Sequence, residues 1–188
     1  GVFVMYSRRI ELTGNLVLNA SGASGMGIGL KDSGDITVAG NALLRDTIGI
    51  YIDETPGGGS VETLRIADNA LRQCTTAVQF HTTPQRTTIE GNDFADNLRQ
   101  VAADAGTRSD AARWHGNHWD DYAGYDLDDD GVGDLPHRSE STSEDLVAQH
   151  PQLAFLRGAP ALTLVDVGAR LLPLWKPRTL LVDDAPRV

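Results

Sequence analysis

Ile10-Glu-Leu-Thr-Gly14-Asn15-Leu-Val17 states a phrase that the chain repeats: two apolar residues separated by one spacer, a second spacer, Gly or Asp, Asn, a third spacer and a last apolar residue. It returns as Ile36-x-Val38-x-Gly40-Asn41-x-Leu43 and as Leu64-x-Ile66-x-Asp68-Asn69-x-Leu71. Weaker copies are Thr87-x-Ile89-x-Gly91-Asn92-x-Phe94 and Ala112-x-Trp114-x-Gly116-Asn117-x-Trp119. The asparagines step by 26, 28, 23 and 25 residues (41−15, 69−41, 92−69, 117−92). Alternation of period two means a short strand with one buried face, and Gly/Asp-Asn supplies a left-handed residue and a side chain that bonds turn amides. Each phrase therefore reads strand, turn, strand.

Outward from each phrase lies a second apolar pair. Ile50 and Ile52, Val78 and Phe80, and Val101 and Ala103 begin nine residues after their asparagines (50−41, 78−69, 101−92). In the first coil the pair is Ile28 and Leu30, four residues late, with the excess in the Gly-rich run Ser21–Gly27. Val2 and Val4 read as the same pair from an earlier coil, so the chain reads as a fragment of a longer one. Units of this length, with several short strands and no helical period, predict an all-β fold, a right-handed parallel β-helix over residues 1–119. The five asparagines should stack as an internal hydrogen-bonded ladder. Loops between coils, at 31–35, 53–60 and 81–86, are where solenoids carry binding.

Composition narrows the partners. The 188 residues carry a formal net charge of −10, which repels phosphate backbones and anionic lipid, so nucleic acid is not an expected partner. The single cysteine, Cys74, excludes an intramolecular disulfide and cannot by itself supply a Cys-based zinc site. No apolar run approaches about 18 residues, so the chain is not expected to span a membrane.

Residues 120–140 read as an acidic loop and cap. Asp126, Asp128, Asp130, Gly131, Val132 and Asp134 occupy places 1, 3, 5, 6, 7 and 9 of a calcium loop: alternate carboxylates face one hard cation, the glycine permits the turn, and the Val132 carbonyl adds an oxygen. Place 12 is His137 instead of a bidentate Glu, so such a site is weaker or completed from elsewhere; the competing reading is a solvated acidic turn. Trp114, Trp119 and Tyr122 fall where the solenoid ends and would plug its core.

Residues 141–188 read as a helical tail. Ser141-Thr-Ser-Glu144 is a capping box, and Ala161–Leu172 after Pro160 is a second helix with Leu162, Val165, Ala169 and Leu172 on one apolar face, a candidate docking or capping surface.

The run Asn117-His-Trp-Asp-Asp-Tyr-Ala-Gly-Tyr-Asp-Leu-Asp-Asp-Asp-Gly-Val-Gly-Asp-Leu-Pro136 is similar to the phrase that closes the β-helix of NosD-like periplasmic proteins, with His118 and His137 where that family usually has tyrosine. His150-Pro-Gln-Leu, Ala159-Pro160-Ala and Leu172-Pro-Leu also resemble the end of that family. The resemblance implies a periplasmic or extracellular, non-enzymatic component working with an ABC-type ATPase and permease, and with the maturation proteins of nitrous oxide reductase, toward its copper centre. It implies a membrane-bound permease as the partner of the tail.

Copper favours soft or imidazole ligands, which here means Met5, Met26, Cys74, His81, His115, His118, His137 and His150; only His115 and His118 are close in sequence. Two other functions fit the fold: a carbohydrate-binding or surface repeat, and a polysaccharide-active enzyme. The enzyme needs paired carboxylates, and the adjacent Asp120 and Asp121 would face opposite ways.

Overall fold

The computed structural model describes residues 1–57, 61–156, 159–171 and 178–188. The chain winds through three parallel sheets in turn. The first stacks Val2–Met5, Met26–Lys31, Ile48–Asp53, Thr76–Phe80 and Val101–Ala103. The second begins with Arg8–Thr13, Gly34–Ala39, Leu64–Ala67, Thr87–Glu90 and Arg113–His115; the third stacks Leu16–Leu18, Ala42–Leu44, Ala70–Arg72, Asp93–Ala95 and His118–Trp119. This is a parallel β-solenoid of about four turns.

The register is the one the apolar pairs dictate. Val2 and Val4 pair with Ile28 and Leu30, which pair with Ile50 and Ile52, then Val78 and Phe80, then Val101 and Ala103. The four extra residues of the first coil bulge out before Met26 without shifting that register. Ile28, Leu30, Ile50, Ile52, Val78 and Phe80 are fully buried, as the inward members of a period-two pattern must be.

Every residue preceding a ladder asparagine is left-handed: Gly14, Gly40, Asp68, Gly91 and Gly116 have φ between 55° and 66°. That corner turns the chain from the second sheet to the third and aims each asparagine along the solenoid axis. Nδ2 of Asn15, Asn41, Asn69 and Asn92 each donates to Oδ1 of the next asparagine at 2.9 Å. Their backbone amides donate to the same oxygens at 2.9–3.0 Å. A buried polar column of this kind is stable because each donor is satisfied by its neighbour.

Beyond Trp119 the structure departs from a purely helical tail. Helix α1, Thr142–Gln149, and helix α2, Pro160–Leu171, are present and pack on each other. The chain then returns as a strand, Arg178–Asp183, added parallel to Arg113–His115 and paired antiparallel with His137–Ser141. The second sheet thus gains a sixth and a seventh strand, and the helices are an excursion between two of its strands. The physical reason is that Leu180 and Leu181 cover the open end of the core, where they are buried. The boundary expected at 140/141 falls inside a strand.

A second polar stack runs one corner further on, five residues after the asparagines. Asn97 accepts from the Cys74 amide at 2.8 Å and donates to the Leu71 carbonyl at 2.8 Å. Asp46, the same place two coils earlier (46−41 and 97−92 are both 5), accepts from the Ala20 amide at 2.6 Å but leaves Oδ2 buried without a partner. Burial raises its pKa. Asp46→Asn would place an amide where Asn97 has one, facing the Val17 carbonyl. Stability at neutral pH should rise by about 1–2 kcal/mol. A carboxyl whose pKa is raised by folding costs stability only where it is ionised, so the gain should shrink as pH falls through the carboxyl range. Urea melts at pH 7 and pH 4 check both; no gain at pH 7 would contradict the register of this stack.

Candidate functional site

The C-terminal end of the solenoid is assembled around Asp183, which is fully buried. Its Oδ2 accepts from Asn117 N at 3.0 Å, Asn117 Nδ2 at 2.8 Å and Trp119 Nε1 at 3.2 Å. Its Oδ1 accepts from the amides of Gly116 and Ala185. A carboxylate, an acceptor without donors, is therefore the terminus of the asparagine ladder. Sequence reading did not find it, because 66 residues separate it from Asn117 (183−117). In register it stands beside Trp114, the second apolar place of the phrase, so the repeat carries no signal for it.

Trp114 and Trp119 plug the core as expected, at 3% and 2% exposure. Trp119 stacks on Phe94 (centroids 4.3 Å, 6° between planes) and, on its other face, on His137 (4.7 Å, 20°). Tyr122 is half-buried, meets His137 edge-on, and donates its hydroxyl to the Leu135 carbonyl at 2.7 Å. His137 is thus a buried lid on Trp119, and burial lowers its pKa.

The acidic loop lies outside this plug. Ligand oxygens of Asp126, Asp128 and Asp130 lie within 4.8 Å of one another, the only such group of three or more His, Cys, Asp or Glu among the described residues. Asp126 accepts from the amides of Asp130 (3.2 Å) and Gly131 (2.8 Å), and those bonds hold its carboxyl below the usual range. Asp130 accepts from the Val132 amide at 2.8 Å. The Asp130 charge beside Asp128 raises the Asp128 carboxyl. Asp134 is not in the group; its carboxylate accepts from the Leu127 amide at 2.7 Å. His137 closes the plug instead of the loop. The loop is also tied to the last residues of the chain: Gly133 N donates to Pro186 O, Val188 N to Gly131 O, and Arg187 N to Asn117 O.

The donors that suit copper do not converge. Cys74 is buried and its thiol is pushed up to about 11. His81, His115 and His118 each face a carboxylate, Asp104, Asp184 and Asp93 respectively. Met5 is exposed and lies in the first rung, far along the stack from His115 and His118. The clustered donors are hard carboxylate oxygens, which fit calcium or magnesium and not copper. Asp120 accepts from Gln100 Nε2, and Asp121 lies 3.7 Å from His137 Nε2 without a hydrogen bond.

In the tail, Asp166 of α2 caps α1: it accepts from the amides of Thr142 (2.9 Å) and Ser143 (2.8 Å) and from Ser143 Oγ (2.6 Å). The Glu144 side chain of the expected capping box lies outside the described residues. Leu162, Val165 and Ala169 are half-buried, and Leu172 lies outside the described residues. The opposite side of α2 is apolar as well, with Leu164, Val167 and Leu171 at 70%, 47% and 75% exposure. Steps of 3 and 4 put these three on one stripe.

Two relatives share part of this architecture's sequence. A protein of Pseudomonas aeruginosa described as "Probable ABC transporter binding protein NosD" is 34% identical over 85 residues, 45% of this chain and 20% of its own length. A protein of Stutzerimonas stutzeri with the same description is 31% identical over 87 residues, 46% of this chain and 20% of its own length. The chain spans about a fifth of the length of the curated relatives it matches. The family model described as "Periplasmic copper-binding protein (NosD)" matches residues 1–124, which is the whole solenoid and its Trp119–Tyr122 plug, and on that match the chain belongs to the NosD family.

Proposed function

We propose that this chain is a non-enzymatic periplasmic component of an ABC-transporter system that serves copper-site maturation of nitrous oxide reductase, built on right-handed coils. The observation that carries the reading is the family match across the solenoid, joined to relatives described as ABC transporter binding proteins. No helix among the described residues is long and apolar enough to cross a membrane, so contact with a permease falls to surfaces. Copper enters as cargo of the system; the described side chains give it no converged soft site.

The docking surface in this reading is α2. Its half-buried Leu162, Val165 and Ala169 side holds the helix, and the exposed Leu164, Val167 and Leu171 stripe meets the permease. Leu164→Asp with Leu171→Asp should remove most recovery of the ATPase and permease from detergent-solubilised membranes. Both side chains are exposed, so circular dichroism and the melting temperature should change little. Equal recovery with wild type would sink the docking assignment. Copper content of nitrous oxide reductase in a strain carrying only this variant tests the maturation role itself.

The acidic loop is assigned to calcium through Asp126, Asp128, Asp130 and the Val132 carbonyl, with Asp134 ordering the loop from outside. A cation there relieves the repulsion between Asp128 and Asp130 and fastens the loop that holds residues 186–188. Calcium should raise the melting temperature, by RT ln(1 + [L]/Kd), and Asp128→Ala should abolish the rise. The same rise in both proteins would put the effect elsewhere. Protons compete for Asp128, so the calcium effect should fade on acidification.

A further inference from the structure

The chain leaves the third sheet after Trp119 and rejoins the second at His137, and the acidic loop between is tied across its base in nested steps. The Asp134 amide donates to the Tyr125 carbonyl at 2.8 Å, and outside that tie the Tyr122 hydroxyl donates to the Leu135 carbonyl at 2.7 Å. The next pair outward is Asp121 and His137. It is placed like a third tie and is not made: His137 Nε2 stands 3.7 Å from Asp121 Oδ1, beyond hydrogen-bonding reach, and has no other partner among the described residues.

Buried polar atoms without a partner are rare enough to need a reason. The His137 side chain is 6% exposed and held by the Trp119 face and the Tyr122 ring, so it cannot swing away to find water. The Asp121 side chain, 57% exposed and without a hydrogen bond among the described residues, is free to move. A neutral imidazole carries one N–H, and its other nitrogen is an acceptor, as a carboxylate is. Two acceptors stay apart, which is the separation seen here.

We propose that Asp121 and His137 form a proton-operated clasp across the base of the acidic loop: two acceptors held apart while the imidazole is neutral, joined by an Nε2–H···Oδ1 bond once the ring takes a proton from solvent. The proton adds to the Nε2 lone pair, the ring becomes a donor at both nitrogens, and the ionised carboxylate moves in to a charge-assisted bond. Trp119 and Tyr122 bring no charge to the ring. Asp183 is occupied by five N–H donors and Asp120 by Gln100 Nε2, which leaves Asp121 as the carboxylate that can answer the new charge. Burial lowers the His137 pKa, and the charges of Asp121, Asp183 and Asp120 oppose it, so the clasp closes on the acid side of the ordinary histidine value of 6.5. It acts where protonation would otherwise loosen the plug. The proposal does not depend on the transporter or the calcium reading.

Asp121→Asn removes the largest of the opposing charges, so His137 should titrate at lower pH than in wild type. The stability lost as pH falls below 6.5 should then keep falling over a wider range. The test uses the full chain, isotope-labelled, with EDTA present to keep the acidic loop free of metal. Imidazole nitrogen shifts are followed from about pH 7.5 to about pH 5, with His137→Phe identifying the His137 signals. In wild type the titration should bring up an Nε2 proton that exchanges slowly enough with water to be observed. Asp121→Asn should move the titration to lower pH and abolish that proton, with the neutral-pH melting temperature unchanged. Asp129→Asn, which removes an equal charge elsewhere in the loop, should leave both readouts as in wild type. Identical His137 titrations in wild type and Asp121→Asn would overturn the proposal. So would equal shifts in the Asp121 and Asp129 variants, which would mark a general charge effect, or a protonated wild-type ring with no protected N–H.

Discussion

Asp183→Ala should lower the melting temperature by about 6–20 °C, the equivalent of about 3–5 kcal/mol in a chain of this size. The substitution removes one small side chain, yet it takes the acceptor from five N–H groups at once: the amides of Gly116, Asn117 and Ala185, the Asn117 carboxamide and the Trp119 indole. Each buried donor left unsatisfied costs about 1–3 kcal/mol, and water entering the loosened end recovers part of that. The damage should be local. Hydrogen exchange should quicken first at residues 113–119 and 178–187, while the Asn41 and Asn69 amides stay protected until global unfolding. Asp183→Asn keeps one acceptor oxygen and should cost less. A loss below about 1 kcal/mol for Asp183→Ala would mean that the strand 178–183 does not close the ladder.

That terminus shows where the sequence stopped being legible. The coils were readable because the repeat imposes the same chemistry every 23–28 residues: the left-handed Gly or Asp, the asparagine and the inward apolar pair each appear several times, and the register followed from them. Capping breaks that logic by necessity, since the last rung needs residues unlike those of the rungs before it. Asp183 has no counterpart at its position in earlier coils. His137 could be read from spacing only as place 12 of a loop, whereas its stacking on Trp119 depends on an antiparallel pairing of His137 with Asp183. The tail was legible only in part. α2 is apolar on both sides, so a single helical stripe could be found in Leu162, Val165 and Ala169 without revealing that Leu164, Val167 and Leu171 face solvent. The acidic trio was legible because its residues are local, and local spacing survives without knowledge of the fold.

Trp119→Ala should be as damaging as Asp183→Ala, about 3–5 kcal/mol, and through a different mechanism. Trp119 fills the core between Phe94 and His137, and its removal leaves a cavity that the parallel strands on either side cannot collapse into without breaking register. The indole also donates to Asp183, so the two residues are energetically coupled. Trp119→Phe separates the effects. It keeps an aromatic ring in the stack and removes the N–H, leaving the carboxylate four of its five donors, and should cost about 1–2 kcal/mol. In a double-mutant cycle, Trp119→Phe on the Asp183→Ala background should cost measurably less than on wild type, because the hydrogen bond it deletes is already gone. Acid should expose the same joint. His137 has its pKa lowered in the folded chain, so unfolding takes up a proton, and stability is lost as pH falls below the ordinary histidine value of 6.5. A His137→Phe variant should keep the lid on Trp119 while flattening that part of the pH profile. If the two substitutions were strictly additive and the His137→Phe profile matched wild type, Trp119, His137 and Asp183 would be three separate features of the surface and not one cap.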